Sequence, residues 1–206
     1  CALPIWLEAY EWLYRAAEAG FWDPGELAAN EDFQSIRAEP PFREVVKSVH
    51  QRIYLSLLER EQREEWQRPE QVLEALSLRE GERIADIGAG SGYFTLPLAR
   101  AVGPTGRVYA CDIEQAFLDH IARRARLEGL EQITCQLADA GDPHLPQGEV
   151  DTVLMVDTYH YLQDREAYVR VLRRCLAPGG RIVIIDYIPR ERDPGAFVPA
   201  LEHQLS

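Results

Sequence analysis

Apolar residues recur along this chain with two different periods. Ile84 to Ile87, Arg107 to Cys111, Ile133 to Leu137, Thr152 to Val156 and Arg181 to Ile185 are short, mostly apolar runs that read as buried strands. Between them Phe94 to Val102, Gln115 to Glu128 and Arg165 to Cys175 carry apolar positions at helical spacing, and Pro178-Gly179-Gly180 lies just beyond the last. Strand and helix alternate, which predicts an α/β fold built on a parallel sheet with helices on its faces. In such a sheet the ligand cleft opens at the carboxyl ends of the strands.

Upstream the pattern is helix after helix. Trp6, Tyr10, Leu13 and Ala17 share one helical face, and Gly20 supplies a stop. Asp23-Pro24 with Glu26 makes a capped start, and Pro41 begins a longer helix with Phe42, Val45, Val49, Ile53 and Leu57 on one side. We therefore divide the chain into a helical extension over residues 1–66 and an α/β domain over 67–206. After Asp186, Pro189, Pro194 and Pro199 oppose any long strand.

The first strand runs into Gly88-Ala89-Gly90-Ser91-Gly92, a G-x-G-x-G turn that opens a helix near Phe94. Alternate glycines permit positive φ and let a ligand approach the main chain, and the helix beyond offers unpaired N–H groups. A dinucleotide fingerprint needs its third glycine at position 93, where Tyr93 stands. This turns the reading from a nicotinamide cofactor towards S-adenosylmethionine. The second strand ends on Asp112, twenty-four residues after Gly88, where an acid can accept both ribose hydroxyls.

Residues from about Trp66 to Asp186 resemble class I S-adenosylmethionine-dependent methyltransferases. The resemblance rests on Ile84 to Gly92, on Val108 to Asp112, and on Leu176-Ala177-Pro178-Gly179-Gly180 leading into the fifth strand; the lead-in Arg63-Glu64-Glu65-Trp66-Gln67 is similar to that of bacterial members. It implies a doubly wound, Rossmann-like parallel sheet of strand order 3-2-1-4-5 with helices on both faces, a cleft over the ends of strands one and four, and S-adenosylmethionine as cofactor. Asp86 with Gly88, Ala89, Gly90 and Gly92 would surround its methionine part, Asp112 and Ile113 would serve the ribose side, and Asp139 with Ala140 would face the adenine. Asp157 completes the cofactor set. The family's sheet continues through two more strands, so we expect an incomplete sheet and a domain incomplete at its C-terminal end. The segment Ala16 to Phe21, with Asp32-Phe33 and Pro41 to Arg43, looks like the end of a tetratricopeptide-type array, and an ordinary helical cap fits as well.

Methyl transfer is an in-line displacement, so the site must hold donor and acceptor aligned and dry. The segment Asp157-Thr158-Tyr159-His160-Tyr161-Leu162 follows the fourth strand, where the cleft opens. If the acceptor is a hydroxyl or amine, His160 is the candidate base, with Tyr159 or Asp157 to orient it. These three are the candidate catalytic residues; Asp186 after strand five is a further pocket candidate, and packing of a helix start is the plainer alternative for His160.

The net charge is −12, and the chain has a single lysine, Lys47. A nucleic-acid acceptor is disfavoured, because such proteins show a basic face and the Arg123-Arg124-Arg126 cluster reads as a solvated helix side. A small-molecule substrate is expected, with the N-terminal helices available to a protein partner. No apolar run is long enough to span a membrane, and cytoplasmic placement is the default, with lipidation or export through Cys1 left open. The four cysteines form no C-x-x-C pair, so neither zinc nor a disulfide is expected. Other readings remain: a catalytically silent cofactor-binding adaptor, and a protein-isoaspartate-type methyltransferase, which Gly88 to Thr95 and Gly103 to Arg107 resemble. The fourth-strand segment is closer to enzymes acting on quinones or arsenite, though no arsenic-type cysteine trio is present.

Overall fold

The computed structural model describes residues 12, 15, 19, 29–60 and 63–186. Apart from Trp12, Arg15 and Ala19, the expectations for Cys1, for the helices between Trp6 and Glu26, for the repeat-like segment Ala16 to Phe21 and for the tail after Asp186 fall outside these residues.

Chain order gives α1 (Pro40–Leu58), α2 (Arg63–Gln67), α3 (Pro69–Leu76), β1 (Arg83–Ile87), α4 (Thr95–Val102), β2 (Arg107–Asp112), α5 (Gln115–Glu128), β3 (Ile133–Leu137), β4 (Val150–Val156), α6 (Arg165–Cys175) and β5 (Leu176–Ile185). Single 3₁₀ turns lie at Glu31–Phe33 and Tyr159–Tyr161. The described strands form one parallel sheet in the order β3-β2-β1-β4-β5, as the resemblance implies. The central strands β1 and β4 are buried almost throughout, which explains why they read as continuous apolar runs.

Side-chain alternation divides the core into two layers. Ile84, Val108 and Leu154 pack on one face against Leu76 of α3 and Leu98, Ala99 and Val102 of α4, and Leu118 and Ile121 of α5 join through Ala110. Ala85, Ile87, Val153 and Met155 face the other way, onto Tyr168, Leu172 and Cys175 of α6. Cys111 and Cys175 are buried in this second layer, and Cys135 is half-buried on β3. α6 starts on Asp164, whose carboxylate accepts from the Ala167 amide at 2.9 Å. α1 begins on Pro40-Pro41, where a missing N–H costs nothing, and its face Phe42, Val45 and Val49 buries Phe33, Ile36 and Ile53 in a separate small cluster.

One boundary differs from the sequence reading. Strand five was expected from Arg181, yet the ladder already begins with Leu176 opposite Val150 and shifts register before Thr152 pairs Arg181. A Cβ built on Gly180 would lie 2.9 Å from the Val150 carbonyl oxygen, so the bare glycine lets the loop close onto β4. None of the described helices is long and apolar enough to cross a membrane.

Candidate functional site

The site is built at the carboxyl ends of β1, β2 and β4. After Ile87 the chain leaves the sheet at Gly88, and the Gly88 and Ala89 amides donate to the Cys111 carbonyl at 2.8 and 3.0 Å, which fixes the loop against β2. Gly88 has φ +72°, and a Cβ there would stand 2.3 Å from Thr158 Oγ1. Gly90 has φ +54°, with Leu58 Cδ1 of α1 at 2.8 Å from the corresponding position. Both positions therefore need glycine for conformation and for space.

Asp112 is held at the tip of β2. Its Oδ2 accepts from the Gly90 amide at 2.8 Å and its Oδ1 from the Glu114 amide at 3.0 Å. The Ile113 amide also bears on this carboxylate, and of its roughly four acceptor directions at least one is left for a ligand hydroxyl. Burial raises the Asp112 pKa, and the Glu114, Gly90 and Ile113 amides oppose the rise. Ile113, next along, is 57% exposed, an apolar side chain that a flat ligand can cover. Asp86 is 3% exposed and accepts from Thr95 Oγ1 at 2.6 Å. Burial pushes its pKa up to about 6 against the Thr95 hydrogen bond, with the Asp112 charge adding to the rise. Asp139 and Ala140 are exposed in the turn after β3, and the Asp139 carboxylate meets His144 Nε2 at 2.8 Å.

Helices α1 and α2 lie over this ensemble, an arrangement the sequence reading did not contain. Gln51 Nε2 donates to Glu114 Oε2 at 2.7 Å, Lys47 pairs with the same carboxylate at 3.4 Å, and the Tyr54 ring stacks on Phe117 of α5 at 5.6 Å. Glu59 accepts from Arg124 Nη1 at 3.0 Å and sits 2.8 Å from His120 Nε2, while Arg124 also donates to the Ser91 carbonyl. In α2, Arg63 and Gln67 stand four residues apart and so share a face. The Arg63 guanidinium lies over the Tyr93 ring at 4.4 Å, and Gln67 Nε2 donates to Asp157 Oδ2. Trp66, on the other side of α2, is 63% exposed. The expected division after residue 66 thus falls inside α2.

Asp157 occupies the left-handed region with φ +51°, an uncommon conformation outside glycine that marks local strain at the end of β4. Burial raises its pKa, and Arg63 and Gln67 oppose the rise. His160 is half-exposed rather than turned into the interior. Its Nδ1 lies 2.7 Å from Asp186 Oδ1, and its backbone amide donates to Asp186 Oδ2 at 3.0 Å. This corrects one expectation: Asp186, and neither Tyr159 nor Asp157, orients the imidazole. Tyr159 packs against the second core layer instead, with the Arg165 guanidinium 5.1 Å over its ring and Arg165 Nε donating to its carbonyl.

Among the described residues three buried polar atoms have no hydrogen-bond partner, Arg63 Nε, Ser91 Oγ and Tyr93 OH, and two of these residues flank Gly92 in the loop. A buried unpaired donor or acceptor costs about 1 to 3 kcal/mol, so their concentration around one loop makes it the candidate ligand site. Asp112 and the exposed face of Ile113 lie at the same loop. The sequence pointed to the glycines and to Asp112. Arg63 and Gln67 lay in the segment noted as a lead-in, but nothing local told which way they face.

Comparison with known proteins follows the same line. A methyltransferase domain family matches residues 84–180. The crystal structure of a SAM-dependent methyltransferase from Aquifex aeolicus superimposes with a TM-score of 0.64 at 30% identity, over 68% of this chain and 75% of that one. Among curated proteins, methyltransferase GfsG of Streptomyces halstedii is 34% identical over 59% of this chain and 43% of its own length. Nocamycin O-methyltransferase of Saccharothrix syringae is 32% identical over 57% of this chain and 42% of its own. The chain thus spans less than half the length of these two curated relatives.

Proposed function

Because the chain belongs to the S-adenosylmethionine-dependent methyltransferase family, we propose that it methylates a hydroxyl-bearing small molecule. The observation that carries this is the His160 imidazole, half-exposed beyond β4 with its Nδ1 2.7 Å from Asp186 Oδ1, while Asp112, a buried carboxylate tied to the Gly90 amide at the glycine loop, supports the cofactor side. In this reading Asp112 takes the ribose hydroxyls, Ile113 covers one face of the adenine with Asp139 and Ala140 at its rim, and Gly88, Ala89, Gly90 and Gly92 let the ligand reach the main chain. Asp86 and Asp157 give the positively charged end of the cofactor an acidic wall. Bound there, S-adenosylmethionine supplies an electrophilic methyl on a sulfonium.

The chain's own residues do the rest. His160 Nδ1–H donates to Asp186, which leaves Nε2 to accept the hydroxyl proton; the oxygen's electron pair would then take the methyl carbon as the methyl–sulfur bond breaks, its pair staying on sulfur so that S-adenosylhomocysteine leaves. Asp186 is a positioning residue that holds the tautomer. The name of the nocamycin relative, an O-methyltransferase, agrees with an oxygen acceptor. Helices α1 and α2, by covering the loop, exclude water from the transfer. The domain division at residue 66 is proposed in a looser form, with the upstream helices as the lid and any contact to a protein partner on their outer side.

The test is transfer of labelled methyl from S-adenosylmethionine to a panel of phenols and aliphatic alcohols by the purified chain. Label in an ether product is the expected result. Cofactor binding with no transfer to any hydroxyl, amine or carbon acceptor would favour the silent adaptor instead.

A further inference from the structure

Two of the three unpartnered buried atoms meet at one spot. The Arg63 guanidinium carbon lies 4.4 Å from the centroid of the Tyr93 ring, and both Arg63 Nε and Tyr93 OH are without a partner among the described residues. Of the guanidinium's nitrogens, Nη1 is engaged by the Leu58 carbonyl at 2.8 Å, and the Nε–Nη2 edge makes no bond to the described residues. Burial lowers the Arg63 pKa, and the charges of Asp157 and Asp86 act on it from a distance without an ion-pair contact. A guanidinium largely taken out of water, with one fork edge open, is built for a planar anion that accepts two parallel hydrogen bonds.

The position says which anion. Starting from the Asp112 end, the loop runs through Gly90, which touches Asp112, to Tyr93, which lies under Arg63. A ligand whose ribose is on Asp112 therefore extends along the loop towards Arg63. We propose that Arg63 receives the α-carboxylate of the cofactor's methionine part on its Nε–Nη2 edge, with the Tyr93 hydroxyl as a second donor, so that α2 closes the amino-acid end of the site. The inference rests on the cofactor reading given above. It also accounts for the neighbouring acids: Asp157 already accepts from Gln67 and Asp86 from Thr95, and the ligand's own cationic groups face that side rather than its carboxylate.

Isothermal titration of the full chain with S-adenosylmethionine and with decarboxylated S-adenosylmethionine, which lacks only the carboxylate, tests this directly. Wild type should bind the first about ten- to a hundredfold more tightly. Arg63→Gln should remove most of that preference while changing affinity for the decarboxylated ligand less than about threefold, and Arg63→Lys should restore part of it. Tyr93→Phe should reduce binding of S-adenosylmethionine alone by about three- to tenfold. Equal wild-type affinity for the two ligands, or an equal loss on both in Arg63→Gln, overturns the role of Arg63. If Arg63→Gln does not fold by circular dichroism, the wild-type preference and Tyr93→Phe still decide. A wild-type chain that binds neither ligand overturns the cofactor reading itself, and this inference with it.

Discussion

The Gly90 amide donates to Asp112 Oδ2 at 2.8 Å, so that the turn after β1 and the acid ending β2 form one rigid rim. Neither residue can change without moving the other. Asp112→Ala removes the rim contact and, in the proposed reading, the ribose acceptor, and we expect S-adenosylhomocysteine binding to weaken by about 1 to 3 kcal/mol. Gly90→Leu places a side chain where Leu58 Cδ1 stands 2.8 Å away, at φ +54°, and should abolish binding. Calorimetric titration of both variants checks this; Asp112→Ala with wild-type affinity would remove the carboxylate from the site.

Asp86 makes stability depend on pH in a defined direction. Its folded pKa, about 6, exceeds the ordinary value of 3.8 because burial disfavours the charge. Below about pH 4 the group is protonated in both states and burial of its charge costs nothing. Between these values the unfolded chain releases a proton that the folded chain keeps, and above pH 6 the folded state carries a buried charge. Stability is therefore lost as pH rises through this window, by about 3 kcal/mol in all. Asp86→Asn lacks the titration, so its stability relative to wild type should climb by that amount from pH 4 to pH 6 and then level off. Urea unfolding at a series of pH values measures it, and parallel curves for the two proteins would contradict the assignment.

How legible the molecule was depends on whether the deciding contact is local. The parallel sheet followed from apolar runs that alternate with helices, and its strand order from the resemblance carried by Ile84 to Gly92 and Val108 to Asp112. The placement of Asp112 beside the glycine turn was legible because the ends of neighbouring strands are fixed by chain connectivity. The partner of His160 was not, since Asp186 reaches it only through the β4–β5 register in which Val156 pairs Ile185. Gln67 meets Asp157 across ninety positions of sequence, and Arg63 lies over Tyr93 across thirty. Such contacts are set by how α2 docks, which no period in the sequence encodes. The early start of β5 was missed for a smaller reason: Pro178-Gly179-Gly180 signals a turn, and here the turn is also a bulge in the ladder.

The His160–Asp186 pair separates two roles that one substitution alone would confuse. As a base held by Asp186, His160 acts on the acceptor, so His160→Ala should lower turnover about a hundredfold while S-adenosylhomocysteine affinity stays within twofold. Asp186→Asn should lower turnover less, with His160 still present but no longer held by a carboxylate. Single-turnover transfer and thermal melting on the same samples distinguish chemistry from folding. A lower melting temperature with an unchanged rate per folded molecule would make the pair a brace for the 3₁₀ turn Tyr159–Tyr161.

The contact between Tyr54 and Phe117 tests whether α1 is a working lid. The rings stack at 5.6 Å and 17°, joining the helix that covers the glycine loop to the helix that follows Asp112. Burial pushes the Tyr54 pKa up to about 12, so its hydroxyl is neutral at any working pH and the contact is one of packing. Tyr54→Leu keeps bulk but loses the ring pair, which is worth about 0.5 to 1.5 kcal/mol. If α1 must lie down over bound cofactor, that loss appears as faster dissociation of S-adenosylhomocysteine, by about two- to tenfold, together with faster amide exchange in residues 40–58 of the complex. Asp112→Ala, by contrast, should weaken binding without raising exchange in α1 of the unliganded chain. Should Tyr54→Leu lower the melting temperature and leave both the dissociation rate and the α1 exchange of the complex unchanged, α1 would be a fixed buttress, and the cofactor would enter from the side of Ile113.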